Sequence, residues 1–222
     1  MATQAPPDLP RWGGITEPVT VLTDVLLAIV AFVLTARLGL TAAAEGLKAS
    51  GALAGGFFAT SLAAAIGAVA HGVDPRVDPG LRQRMWRGAL YMTAFISVGT
   101  VMPVAFFAAR GIARTAIIGF ALVKLLWYTV AVARRPEFRV AAADSGVAMA
   151  ILLAGAVYAG VRWGEPGAPW LIGGVLVSLG GGVVQARRVS VHRHFNHNDL
   201  YHMIQIAALL LFYRAGTVLV DR

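Results

Sequence analysis

Seven long apolar stretches dominate this chain, and short polar connections separate them. A helix needs about 20 apolar residues to cross the hydrocarbon core of a bilayer. The stretches cover residues 17–38, 50–70, 88–109, 113–133, 142–163, 168–185 and 200–218. They predict an all-α, polytopic membrane protein, with a single seven-transmembrane helix bundle over residues 17–222. A short cytoplasmic N-terminal segment, residues 1–16, is predicted to precede it.

The charge content agrees with a lipid environment. Only 14% of the 222 residues are charged, against about 25% in soluble domains. The net charge of +8 arises largely from Arg and Lys in the short connections, where membrane orientation and lipid headgroups account for them. We therefore expect membrane lipids as partners and no nucleic-acid binding. The chain contains no Cys, which excludes disulfides and thiolate metal ligands.

The distribution of basic residues predicts the orientation of the helices. The N-terminal segment and the 2–3, 4–5 and 6–7 connections contain eleven Arg residues, Arg76 and Arg193 among them. The opposite connections and the C-terminus contain seven Arg and Lys residues. Because cytoplasmic connections carry the excess of positive charge, the bias predicts an integral protein of the plasma (inner) membrane. Its N-terminus would be cytoplasmic and its C-terminus outside.

The sixth span carries small residues at helical spacing. Gly174, Ser178 and Gly182 recur every four residues and therefore share one face of a helix. Small side chains let helices approach closely within a membrane. This face is predicted to pack against a neighbouring helix.

Histidines mark the first candidate site. Four of the five histidines lie within residues 192–202, and the fifth, His71, lies at the end of the second span. The second span ends on the side where the seventh begins, so these histidines lie at one depth. Three imidazoles are a common ligand set for Zn²⁺ that leaves a fourth position open for water. His71, His197 and His202 are therefore predicted to bind a metal ion, zinc foremost.

The three-histidine site depends on where the seventh helix begins. On a regular helix, side chains five residues apart point about 140° away from each other. His197 and His202 would converge only if Asn198, a good N-cap, opened the helix and left His197 outside it. Otherwise Asn198 would be a weak substitute ligand. Asn198, His202 and Gln205 share one face of a helix.

Charged residues inside the spans form the second candidate group. Glu17 and Asp24 begin the first span on the side where the histidines lie. A carboxylate in an apolar span is costly, and this makes Asp24 a functional candidate. Lys124, in the fourth span, lies at a depth similar to that of Asp24. The two are predicted either to form a structural ion pair or to act together in catalysis, and Tyr201 is a further candidate.

This layout resembles a known superfamily. Seven helices, a His at the inner end of helix 2 and histidines opening helix 7 are similar to the alkaline ceramidase, adiponectin/progestin receptor and hemolysin III-like group. His71 matches the helix-2 histidine of that group, and His202 matches the second His of its H-x3-H motif. Asn198 stands at the first position of that motif, with His197 beside it. Gly67 stands where the family has Ser, and residues 88–109 contain no counterpart of the family Asp.

The resemblance implies a membrane-embedded, zinc-dependent hydrolase acting on a lipid amide or ester. A zinc-bound water would be the nucleophile, Asp24 a general base or an orienting residue, and Lys124 or Tyr201 a polarising group for the substrate carbonyl. The alternative is a non-enzymatic receptor-like or transport protein that uses the same His and Asp residues to bind a metal or ligand. Haem binding through two histidines is a weaker alternative. Retinal binding is weaker still, because helix 7 contains no Lys that could form a Schiff base with retinal.

Overall fold

A computed structural model describes residues 11–74, 78–192 and 194–222 of the chain. Within these residues the chain forms seven helices and one short antiparallel hairpin, β1 (Arg11–Trp12) with β2 (Ile15–Thr16). The helices are α1 (Pro18–Glu45), α2 (Lys48–Gly72), α3 (Pro79–Phe107), α4 (Gly111–Arg134), α5 (Phe138–Trp163), α6 (Ala168–Arg187) and α7 (His197–Gly216). The predicted all-α, seven-helix architecture is thus confirmed.

Six of the helices in the described ranges, α1 to α6, are long and apolar enough to cross a membrane. They indicate an integral membrane protein. α7 differs from them because its first two turns contain His197, Asn198, Asp199 and His202. Of the basic residues behind the predicted orientation, Arg76 and Arg193 lie outside the described residues, as do residues 1–10 of the N-terminal segment.

Two helices extend well beyond their predicted limits. α1 continues past residue 38 to Glu45, where Gly46 ends it in a left-handed conformation. α3 begins at Pro79 instead of Gly88. Pro79 is tolerated in the first turn because its missing N–H is not needed there. The Asp78 side chain accepts a hydrogen bond of 2.7 Å from the Leu81 N–H and caps the helix, as short polar side chains commonly do.

Glycines determine how closely the helices pack. α2 packs against both α1 and α3, and α2 and α3 meet at Gly56 and Gly99. A Cβ atom added at Gly99 would lie 2.3 Å from Gly56 Cα, so no larger residue fits there without movement. On α6, a Cβ atom at Gly174 would lie 2.5 Å from the Phe212 ring of α7. The predicted small face on α6 therefore does pack closely at Gly174.

Short connections make consecutive helices antiparallel. α1, α3, α5 and α7 therefore begin at one end of the bundle, where α2, α4 and α6 end. We call this end the His71 end. At the other end, the Asp221 carboxylate accepts hydrogen bonds from the N–H groups of Lys48 (2.6 Å) and Ala49 (3.0 Å) and so caps α2.

Candidate functional site

A cavity of about 390 Å³ lies inside the bundle among α1, α2, α3, α5, α6 and α7. It extends along α2 from His71 to Leu53, which is about 27 Å at the helical rise of 1.5 Å per residue. Its walls are mainly apolar, and Phe57, Leu152 and Phe212 contribute to them. A long apolar space inside a helical bundle is a common location for ligand sites.

The polar side chains of the cavity are concentrated towards the His71 end. Those predicted from the sequence that line it are Asp24, His71, Tyr201, His202 and Gln205. The predicted meeting of helices 1, 2 and 7 at one depth is therefore present in the structure. It gives the cavity one end with carboxylate and imidazole groups. Farther along, the Thr60 and Thr100 hydroxyls also line the cavity, and each donates to a carbonyl of its own helix.

His202 is held between two residues of α1. Its Nε2 atom lies 3.3 Å from Oδ1 of Asp24, and its Nδ1 atom lies 3.0 Å from the hydroxyl of Thr23. A neutral imidazole donates from one nitrogen and accepts at the other. The Thr23 hydroxyl also donates to the Thr20 carbonyl oxygen over 3.0 Å, so the imidazole lies between this hydroxyl and the Asp24 carboxylate.

Asp24 lies against a gap in α2 that Gly67 provides. A Cβ atom added at Gly67 would lie 3.2 Å from Oδ1 and 3.3 Å from Oδ2 of Asp24. The absence of a side chain at Gly67 thus leaves room for the Asp24 carboxylate beside α2. Only 3% of Asp24 is exposed, and Oδ2 has no hydrogen-bond partner among the described residues.

His71 is linked to a different carboxylate. Its Nδ1 atom lies 3.0 Å from Oε2 of Glu17, and Arg82 donates to the same oxygen over 3.2 Å. Burial by itself would raise the pKa of the Glu17 carboxyl, but the hydrogen bond and charge of His71 and the charge of Arg82 outweigh it. The pKa of Glu17 is consequently lowered. Glu17 also has a left-handed backbone, with φ of 48°, which is uncommon outside Gly.

The histidines do not form the expected three-histidine site. α7 begins at His197, with Asn196 as its N-cap: the Asn196 side chain accepts from the Asn198 N–H, and Asp199 accepts from the Asn196 N–H, each over 2.7 Å. This corrects the predicted helix start, because the cap lies two residues earlier than Asn198. His197 is therefore inside the helix and points about 140° away from His202.

The neighbouring bonds also oppose metal binding at these histidines. Both ring nitrogens of His202 face protein groups, and Asn198 accepts a 2.8 Å hydrogen bond from Gln185 of α6. In the described ranges, no three or more His, Asp and Glu side chains are arranged so that they could hold a metal ion. The side chains as placed do not fit the predicted zinc ion, and zinc binding stays a prediction.

Lys124 belongs to a separate buried cluster. Its Nζ atom lies 2.5 Å from Oδ1 of Asp144 on α5 and donates to the Ser97 hydroxyl on α3. The pairing of Lys124 with Asp24, predicted from their similar depths, is not formed. The reason is that α4 packs against α3 and α5, whereas α1, which carries Asp24, packs against α2 and α7. Lys124 is not among the described residues that line the cavity.

The cavity reaches the bundle surface between α5 and α6. Its exposed lining residues are Phe138, Ala142 and Gly146 on α5 and Leu179, Gly182 and Ala186 on α6. A Cβ atom at Gly146 or Gly182 would meet no atom within 4 Å, whereas one at Gly160, near the other end of α5, would lie 3.1 Å from Ala168. The two helices therefore separate towards the His71 end and leave a lateral opening. Gly182 borders this opening instead of packing against a helix.

Thr23 and Asp144 were missed in the sequence. Asp144 could have been identified, because it is a carboxylate in the predicted fifth span. A carboxylate in an apolar span is costly, and this argument applies to Asp144 as it does to Asp24. Nothing in the sequence distinguished Thr23. Thr23 donates to the Thr20 carbonyl of its own helix, as a Thr in an apolar span commonly does, and only the position of α7 shows that His202 is a second partner.

These features define a helical integral membrane protein with an internal cavity that is polar at one end and opens between two membrane-spanning helices. The chain belongs to a family of unknown function, DUF6962, whose model matches residues 19–220. No curated protein and no solved structure matches the chain significantly. The resemblance to the ceramidase and adiponectin/progestin receptor group stays a prediction.

Proposed function

We propose that this protein is a receptor-like or transport membrane protein that binds a long-chain amphiphile inside its helical bundle. One observation carries the proposal: a mainly apolar cavity with its carboxylate and imidazole groups at one end opens laterally between α5 and α6. A ligand that matches this cavity has a polar head and an apolar chain. The head would lie near Asp24 and His202, and the chain would extend towards Leu53.

The lateral opening supports the membrane as the source of the ligand. α5 and α6 are both apolar enough to span a bilayer, so the exposed residues that border the opening would face lipid. An amphiphile already dissolved in the bilayer can enter there without crossing water. Transfer of its chain from lipid into the cavity changes the apolar environment little, so the polar head is expected to provide most of the selectivity.

A cavity-filling variant tests the proposal. Ala63 lines the cavity, whereas Ala65, two residues along α2, is exposed and does not. We expect Ala63→Trp to weaken binding of a fluorescent long-chain amphiphile to the purified protein about tenfold or more, because the indole occupies the ligand space. Ala65→Trp is the matched control and should bind like the wild type. Equal binding by both variants and the wild type would contradict the proposal.

The zinc-dependent lipid hydrolase predicted from the sequence is the alternative function. Elemental analysis of the detergent-purified protein distinguishes the two. Stoichiometric zinc that is lost in His202→Ala, together with turnover of a lipid amide or ester, would favour the hydrolase. Amphiphile binding without zinc and without turnover would favour the receptor-like or transport protein.

A further inference from the structure

We infer that Asp24 selects a ligand whose polar head donates hydrogen bonds, and that a primary amine in its protonated form is the preferred head. This inference rests on the proposed function and adds the chemistry of the head group. It follows from the partners of the buried carboxylates and from the position of Asp24 in the cavity wall.

The other buried carboxylates of the described residues each lie against a cation or accept hydrogen bonds from backbone N–H groups. Glu17 is bound by His71 and Arg82, Asp144 by Lys124, and Glu165 by the N–H groups of Gly167 and Val220 and by Arg222. Asp199 accepts from the Asn196 N–H and completes the cap of α7. Four of the buried acids are therefore accounted for by structural roles.

Asp24 is different from these four. The described residues place no Lys or Arg against it, and its partner is the Nε2 atom of His202. Oδ2 of Asp24 is buried and has no hydrogen-bond partner in the described part of the chain. Oδ2 of Asp144 also lacks one, but Lys124 neutralises Asp144, which does not line the cavity. Because leaving a buried acceptor unpaired is unfavourable, a ligand that supplies a donor to Oδ2 would be stabilised.

The geometry around Asp24 determines what kind of head fits. Oδ1 is already engaged by His202, and Gly67 closes the α2 side with backbone only. Because Asp24 lines the cavity, a compact head with N–H or O–H groups fits best against its carboxylate. A carboxylate head would place two negative groups together, and a quaternary ammonium would bring charge without a donor. A protonated amine supplies both charge and donors, and charge-assisted hydrogen bonds are the stronger kind.

Four probes with one chain and different heads test the inference on the full-length protein. Dodecylamine carries a cationic donor, dodecanol a neutral donor, dodecyltrimethylammonium a cation without a donor, and dodecanoate an anion without a donor. We expect each probe to displace the fluorescent amphiphile in the order amine, alcohol, quaternary ammonium, carboxylate. The amine should bind about tenfold or more tightly than the carboxylate.

The Asn variant assigns the preference to one side chain. Asp24→Asn keeps the shape but loses the charge and one acceptor oxygen, and it should weaken dodecylamine binding about tenfold while changing dodecanol binding less. Glu45→Gln, an exposed position on the same helix, is the control and should leave the order unchanged. The order within the wild type tests the inference even if Asp24→Asn fails to fold.

The outcomes separate the two proposals. If none of the four probes displaces the fluorescent amphiphile, the proposed function itself is contradicted. If the probes bind but dodecylamine has no advantage over dodecanoate, the cavity binds amphiphiles and the role of Asp24 is overturned. An amine preference that persists in Asp24→Asn would likewise overturn it.

Discussion

The Nζ atom of Lys124 lies 2.5 Å from Oδ1 of Asp144, and the pair joins α4 to α5 in the interior of the bundle. Both residues are buried, with 9% and 3% of their surfaces exposed. A buried ion pair contributes little net stability over an apolar pair, yet removing one partner leaves an uncompensated charge. This asymmetry yields the first prediction.

Single substitutions in this pair should be far more damaging than the double substitution. We expect Lys124→Met to lower the free energy of unfolding by about 3 kcal/mol, and Lys124→Met with Asp144→Leu to lower it much less. Thermal unfolding of the detergent-purified variants measures this. Additive losses in the double variant would show that the two side chains do not interact.

The contact between Gly56 and Gly99 predicts a strong effect of one methyl group. In an open helix position, Gly→Ala stabilises by roughly 0.5–1 kcal/mol. At Gly99 the added Cβ atom would overlap Gly56, so we expect Gly99→Ala to destabilise the protein by about 2 kcal/mol or more. Gly119→Ala is the control, since a Cβ atom there meets nothing within 4 Å. Both are measured as shifts in unfolding midpoint, and equal shifts would contradict the close packing of α2 on α3.

The Glu17 carboxylate predicts how stability changes in acid. Its pKa is lowered from the ordinary value of 4.5 in the folded protein, so protonation favours the unfolded state. The stabilisation by the Glu17 carboxylate is fully present above pH 4.5. It is lost as the pH falls through the lowered pKa of the folded state.

Glu17→Gln removes this contribution. We expect the wild type to be more stable than Glu17→Gln at neutral pH, and the difference to disappear at strongly acidic pH. Unfolding midpoints of both proteins across this pH range provide the measurement. A difference that grows as the pH falls would have the wrong sign. Glu45→Gln, at an exposed site, should change little at any pH.

The opening between α5 and α6 predicts where ligand entry can be slowed. Gly182 borders the opening, and Gly180 on the same helix does not line the cavity; both have open space around an added Cβ atom. We expect Gly182→Leu to slow association of the fluorescent amphiphile severalfold in stopped-flow measurements, because its side chain narrows the entrance. Gly180→Leu should associate like the wild type. Equal slowing in both variants would exclude entry at this point.

Several features followed from the sequence because they depend on short segments. The spans are visible from length and apolar content, which decide by themselves that a segment partitions into lipid. The direction of each helix then follows from the short connections, and these directions suffice to place Asp24, His71 and His202 at one end of the bundle. The start of α7 was harder to predict, because Asn196 and Asn198 are both good caps. The structure identifies Asn196 as the cap, since its side chain accepts from the Asn198 N–H and its own N–H donates to Asp199.

Only the tertiary structure determined which buried charged residues at the same depth in the membrane become interaction partners. Sequence determines the position of a residue along the membrane normal, but the rotation of a helix and the identity of its neighbours depend on how all the helices pack. Asp24 and Lys124 were predicted to lie at similar depths. In the packed bundle, however, Asp24 contacts His202, and Lys124 pairs with Asp144. The cavity and its lateral opening have the same origin, since they are the space left unfilled where α1, α2, α3, α5, α6 and α7 pack together.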